Sequence, residues 1–162
     1  MTIPDRSFFP FMTVRERLLK VAENIRSIVS DYLSACGLKS LVLGISGGID
    51  SALCAALLRP VCQQHNIPLV GRSITIETNP NDEVARSLTI GKSFCTDFEH
   101  LDLTETFFEN KKLLIQYDDS HLSKLRQGNM KARMRMMVLY DLAQLYGGMV
   151  ISTDNYSEFL IG

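Results

Sequence analysis

Gly44-Ile-Ser-Gly-Gly-Ile-Asp-Ser51 follows the apolar run Leu41-Val-Leu43 and leads into Ala52-Leu-Cys-Ala-Ala-Leu-Leu58. A strand, a glycine-rich turn and a helix in that order form a phosphate cradle. Glycines let the backbone approach an anion, and a helix start offers free N–H groups and the positive end of the helix dipole. Ser46 and Ser51 add hydroxyl donors. Asp50 places a carboxylate beside the phosphates, which makes sense mainly with a divalent metal between them.

Outward from this turn, strands and helices alternate. Thr13-Val-Arg-Glu16 is a capping box, and Val14, Leu18, Val21, Ile25, Ile28 and Tyr32 recur at helical spacing up to Gly37. This predicts a helix over 14–36. A strand follows over 40–45, and a helix from near Ser51 that Pro60 should kink or end. The next strand is 68–76. Asn79-Pro80 caps a helix running to Phe94, with Asp82 and Glu83 as first-turn charges. A third strand lies near 98–103, then a helix over 104–115, a polar turn over 117–120 and a short helix. A long helix covers 129–146. Gly147-Gly148 ends it before a fourth strand over 149–152, and a last helix starts near Tyr156. The fold class is therefore α/β, a doubly wound parallel sheet. Right-handed crossovers give the strand order 3-2-1-4. The turn after the first strand and Thr153-Asp154-Asn155 after the fourth should face one crevice, where the strand order reverses.

Composition narrows the field. The net charge of −1 gives no sign of non-specific nucleic-acid binding. Four cysteines form no C-x-x-C pair, which reads as reduced, buried thiols of a cytoplasmic protein. Three scattered histidines make a zinc site unexpected. No apolar run approaches the length of a membrane span. Residues 1–12 lack the pattern of a signal peptide and read as an irregular arm ahead of a domain over 13–162.

Several readings of the glycine turn compete. A P-loop requires a Lys after the glycines, and there is none; a Rossmann G-x-G-x-x-G is also absent. Gly44-Ile-Ser-Gly-Gly48 does match the G-x-S-x-G elbow of serine hydrolases, with Asp97 or Asp102 and then His121 in the right order. Against this, an elbow normally follows several strands, whereas this serine follows the first. A tight strand–helix turn without a ligand is the plain structural alternative.

Ser46-Gly-Gly-Ile-Asp-Ser51 matches the S-G-G-x-D-S signature of the ATP pyrophosphatases. Gln127-Gly-Asn-Met-Lys-Ala-Arg-Met-Arg-Met136 and Val150-Ile-Ser-Thr-Asp-Asn-Tyr-Ser-Glu158 then closely resemble NAD synthetase. The resemblance covers about residues 14–162. It implies a Rossmann-like fold of the adenine nucleotide alpha hydrolase type. It also implies ATP- and Mg²⁺-dependent amidation of deamido-NAD through an adenylated intermediate, with ammonia as nitrogen donor and AMP and pyrophosphate released. Carried over, Gly44, Ile45, Ser46, Gly47, Gly48, Ile49, Asp50 and Ser51 hold ATP, with Ser46, Asp50 and Ser51 at the reacting phosphates. Arg72 and Thr153 are further ATP contacts. Arg133 is a deamido-NAD contact, and Asp50 and Glu158 are Mg²⁺ ligands. The family also implies a homodimer, which suits a 129–146 helix apolar nearly all round, as if buried on two sides.

Other readings stay beside these. Arg133 could be a surface ion-pair former, Glu158 a first-turn acid, and Lys131 with Arg135 one solvated helix edge. Ile49 and Asn155 stand where many members have Gln and His. The family continues well past Glu158, so the resemblance implies that residues 1–162 lack part of the deamido-NAD site and are inactive alone. The remaining rivals are a GMP synthetase-like or tRNA-modifying ligase of the same superfamily, and a non-catalytic nucleotide-binding module.

Overall fold

The apolar run before the glycine turn is the inner strand on which the sheet is built. In the computed structural model, which describes residues 13–77, 81–114, 120–154 and 160, this strand is β1 (Leu41–Gly44). The chain divides into two compact units, residues 1–37 and residues 38–162.

The first unit contains α1 (Val14–Cys36). Thr13 Oγ1 accepts the Glu16 N–H while Glu16 reaches back to the Thr13 N–H at 2.7 Å, completing the capping box. Gly37 ends the helix at φ 63°, a left-handed conformation that glycine adopts without a Cβ penalty. The predicted stripe from Val14 to Tyr32 is exposed along its whole length. Cys36 is exposed as well, unlike the buried thiol expected of it.

The second unit runs β1, α2 (Ile49–His65), β2 (Leu69–Thr75), α3 (Asn81–Phe94), β3 (Asp97–Asp102), α4 (Thr104–Leu114), α5 (His121–Leu145) and β4 (Met149–Ile151). The four strands are parallel in the order β3-β2-β1-β4, as the crossover rule requires. Leu41 pairs with Leu69 on one side and Met149 on the other, so the strand order reverses at β1 and β4. Alternate residues of β1 serve the two faces. Leu43, with Ile45 just past the strand, packs with Ala55 of α2 and Ile90 and Phe94 of α3. Val42 packs with Val70, Ala143 and Leu142 on the α5 face. Farther along that face, Ile74 and Ile76 enclose Phe107 of α4 and Met134 of α5, with Phe107 fully buried.

Three local readings need correction. α2 starts at Ile49, not Ser51, because Gly48 is its N-cap. Pro60 neither ends α2 nor stands in its core: it is exposed, so the carbonyl it leaves unpaired can take water. The short helix and the 129–146 helix are one 25-residue helix, capped by Ser120, whose Oγ accepts the Ser123 N–H. Gly128 lies within this helix and has open space around it. An exposed helical glycine costs only about 1 kcal/mol. The Asn79-Pro80 cap, the 117–119 turn, the arm over 1–12 and the helix start near Tyr156 lie outside the described residues. Among the described residues no helix is long and apolar enough to cross a membrane.

Candidate nucleotide site

The glycine turn is shaped by what packs behind it. Gly47 has φ 88°, and a Cβ there would come within 2.4 Å of the Glu83 carbonyl oxygen on α3. Arg86 Nε also donates to the Gly47 carbonyl at 3.2 Å. α3 therefore buttresses the turn from outside. Gly48 begins α2 with no side chain capping its first turn, which leaves N-terminal N–H groups for an anion.

The serines form a directional pair. Ser51 Oγ donates to the Gly48 carbonyl at 3.0 Å, so its proton is committed. The 3.2 Å contact between Ser46 and Ser51 is then a Ser46 O–H donating to Ser51, while Ser46 Oγ accepts the Gly48 N–H at 3.2 Å. Among the described residues no imidazole approaches Ser46, so nothing activates it as a hydrolase nucleophile. Its hydroxyl can rotate toward an incoming anion instead.

Gly44, Ile45, Ser46, Arg72, Ser73, Glu83, Arg135 and Thr153 are among the residues lining one cleft of about 300 Å³. Gly47, Gly48 and Ile49 line the adjoining surface with Arg86. Ser51 is buried under the turn, and Asp50 is exposed in the first turn of α2. The turn after β1 and the segment after β4 thus converge beyond the carboxyl ends of the strands. Glu158 lies outside the described residues. Among the described residues no cluster of acids, histidines and cysteines is built to hold a metal alone.

Arg72 is placed differently from a simple cleft residue. Its backbone faces the turn, where its carbonyl accepts the Ile45 N–H at 2.8 Å. Its guanidinium is buried and committed to β3: Nη1 donates to Asp97 Oδ1 at 2.8 Å, and Nε lies 3.6 Å from Glu99. Tyr146 completes the group, its hydroxyl donating to Asp97 Oδ2 at 2.5 Å. Ser73, on the opposite face of β2, is the strand residue directed at α3. Ser87 Oγ donates to the Val84 carbonyl, so Ser73 donates to Ser87 at 2.7 Å and His100 Nδ1–H donates to Ser73 at 3.1 Å. That chain leaves Ser73 Oγ an unused lone pair at the cleft wall.

Lys131 and Arg135 do not form a solvated edge. Lys131 pairs with Glu77, whose φ of 63° is left-handed, and lies 5.1 Å over the Phe107 ring. Arg135 is half-buried in the cleft, where its Nε donates to the Ile74 carbonyl at 3.1 Å. The signal was in the spacing: Arg135 precedes Leu139 by four residues and Leu142 by seven, which puts it on the sheet-facing side of α5. Arg133 is exposed and lines a separate cavity of about 600 Å³ with Leu103, Met130, Met134 and Met137.

The whole of this unit, and α1 from Val21 onward, falls within residues 21–162, which match the family model described as NAD synthase. The chain belongs to the NAD synthase family. It is 34% identical over 143 residues to the NH₃-dependent NAD⁺ synthetase of Finegoldia magna, covering 88% of this chain and 56% of that one. The fold matches the NH₃-dependent NAD synthetase of Campylobacter jejuni with a TM-score of 0.76 at 26% identity, over 89% of this chain and 59% of that one. An NMN synthetase from Francisella tularensis matches with a TM-score of 0.72 at 26% identity, over 86% and 56%. The chain spans about half the length of the curated relatives it matches.

In this NAD synthase family member the Arg72–Asp97–Tyr146 group ties β2, β3 and the end of α5 together under the site. The Tyr146 hydrogen bond, followed by Arg72, holds the Asp97 carboxyl below its ordinary value against the opposing effect of burial. A lowered folded-state pKa stabilises the fold above the unfolded value of about 3.9, and that contribution is lost as pH falls through the lower folded value. Asp97→Asn should therefore cost about 2 kcal/mol at pH 7, mainly by leaving Arg72 under-paired. In urea unfolding the difference between wild type and variant should begin to narrow below about pH 3.9 and close as pH falls through the lower folded value. A gap that stays constant down to acid unfolding would contradict this.

Proposed function

We propose that the chain carries the ATP-binding, adenylating part of an ammonia-dependent NAD synthetase. A carboxylate oxygen of deamido-NAD attacks the α-phosphorus of ATP, and the bond to pyrophosphate breaks. Ammonia then attacks the acyl carbon, loses a proton and expels AMP, leaving the amide of NAD. The observation that carries this reading is the convergence of the glycine turn and Thr153 on one cleft. Residues 44–51 hold the phosphates, Thr153 and the β2 strand end border the nucleotide, and Arg133 contacts deamido-NAD. Arg72 acts from beneath, through the strand it holds. No protein nucleophile is needed, so catalysis is positioning and electrostatics.

Mg²⁺ fits the donor set. Asp50 is an exposed carboxylate that makes no hydrogen bond or ion pair among the described residues, and magnesium takes one or two carboxylates plus phosphate oxygens and water. Asp50 and Glu158 would hold it. When bound, it neutralises charge on the departing pyrophosphate. The four free thiols support a reducing compartment, the cytoplasm.

The NMN synthetase match supports a second reading, the same chemistry on a mononucleotide acid. One assay separates the two. The full-length protein is given ATP, Mg²⁺ and ammonia with either deamido-NAD or nicotinate mononucleotide, and AMP is measured. AMP formed with deamido-NAD supports the first reading, AMP formed only with the mononucleotide supports the second, and AMP formed with neither contradicts both.

The protein pairs with a second copy through the uncovered side of α5. Met137 and Tyr140 are exposed there, opposite the sheet-facing Leu139 and Leu142. Sedimentation equilibrium should give twice the chain mass at micromolar concentration. A monomer at that concentration would refute the pairing.

A further inference from the structure

Among the described residues, Arg135 is a cation without a counter-ion. One donor, Nε, is committed to a neutral carbonyl, that of Ile74. Its remaining N–H groups belong to the terminal nitrogens of a planar fork suited to phosphate or carboxylate oxygens. Among the described residues no carboxylate pairs with it, although Glu83 lines the same cleft. Half-burial lowers the guanidinium from its ordinary pKa with no opposing charge to restore it. A buried charge is costly unless paired. Of the two other arginines near the turn, Arg72 is paired with Asp97, and Arg86, whose Nε donates to the Gly47 carbonyl, lines the adjoining surface and not this cleft. Arg135 alone of the three offers a charge to the cleft itself.

The neighbours define what would pair with it. Gly44, Ile45 and Ser46 approach from β1, Thr153 from β4, and Ser73 from β2. The uncapped first turn of α2 offers N–H groups to an anion on one side of this cleft. An oxyanion within the cleft would thus lie between a helix N-terminus and the Arg135 fork. Gly44 permits this closeness: a Cβ there would stand 3.2 Å from Leu139 Cδ1 on α5, so glycine lets the helix carrying Arg135 lie close against the end of β1.

We infer that Arg135 is a nucleotide-binding residue whose free guanidinium nitrogens take phosphoryl oxygens of ATP while Nε anchors the side chain to the end of β2. This rests on the adenylation reading for the identity of the anion, but not for its charge. A purely structural role, tying α5 to the Ile74 carbonyl, is the alternative to be excluded.

The test is calorimetric titration of the protein with ATP, adenosine and inorganic pyrophosphate, comparing wild type with Arg135→Gln, with thermal melting to confirm folding. ATP and pyrophosphate should bind about 10–100-fold more weakly to the variant, and adenosine equally well. Arg135→Lys, which keeps a charge without the fork, should recover part of the lost affinity. Unchanged ATP affinity in Arg135→Gln, equal losses for ATP and adenosine, or no recovery with lysine would each overturn the assignment. If wild type binds pyrophosphate but not ATP, the adenylation reading fails while the variant comparison still decides the role of Arg135. If wild type binds neither anion, both fail.

Discussion

Gly47→Ala should destabilise the fold by about 3 kcal/mol and abolish measurable ATP binding. Two costs add at this position. The backbone is at φ 88°, where an L side chain is strained, and the new Cβ would meet the Glu83 carbonyl oxygen at 2.4 Å and the Ser87 nitrogen at 3.3 Å. Those are backbone atoms of α3, so no side chain can swing away. Relief requires moving either α3 or the turn, and the turn is the part that must meet the phosphates. Gly48 is the internal control. It has φ −81°, and the nearest atom to an added Cβ is the Ser46 hydroxyl at 3.3 Å. Gly48→Ala should therefore cost much less stability. Urea unfolding and ATP titration of the two variants check this. Equal losses from both would mean that the left-handed geometry of Gly47 is not what the turn depends on.

Asp50→Asn should leave the fold nearly untouched and reduce turnover about 100–1,000-fold. The carboxylate is exposed, makes no hydrogen bond or ion pair among the described residues, and gains only a modest dipole benefit at the helix start. Its value under the proposed function lies in charge: one hard oxygen ligand beside the phosphates. Asparagine keeps the shape and a neutral oxygen but loses the negative charge that attracts a divalent cation. The variant should also need more Mg²⁺ for half-maximal rate, while its melting temperature stays close to that of wild type. Full activity with an unchanged Mg²⁺ requirement would remove Asp50 from the metal site.

Much of this architecture is legible from local chemistry. The glycine turn, the alternation of apolar runs and the handedness of crossovers suffice to give β3-β2-β1-β4. The failures share a cause: each local rule was overridden by exposure or by packing. Pro60 reads as a break, but it occupies an exposed position where the helix tolerates a missing bond. Arg135 reads as solvated from its charge and its i, i+4 relation to Lys131, but its spacing from Leu139 and Leu142 places it toward the sheet. Arg72, which the resemblance implies as an ATP contact, lines the cleft, but strand alternation sends its guanidinium to Asp97 and leaves Ser73 on the α3 side. That Asp97 would be its partner is a matter of β2–β3 register, Arg72 pairing with Glu99 and Val70 with Asp97, which single-strand patterns do not specify.

The central claim is that the cleft between β1 and β4 joins a carboxylate to the α-phosphorus of ATP. Isotope transfer tests it most directly. Deamido-NAD labelled with ¹⁸O in the nicotinate carboxylate is turned over with ATP, Mg²⁺ and ammonia, and the AMP is analysed by mass spectrometry. Adenylation predicts that AMP acquires one carboxylate oxygen, because the C–O bond breaks after the P–O bond has formed. AMP free of ¹⁸O, with NAD still produced, would contradict the account.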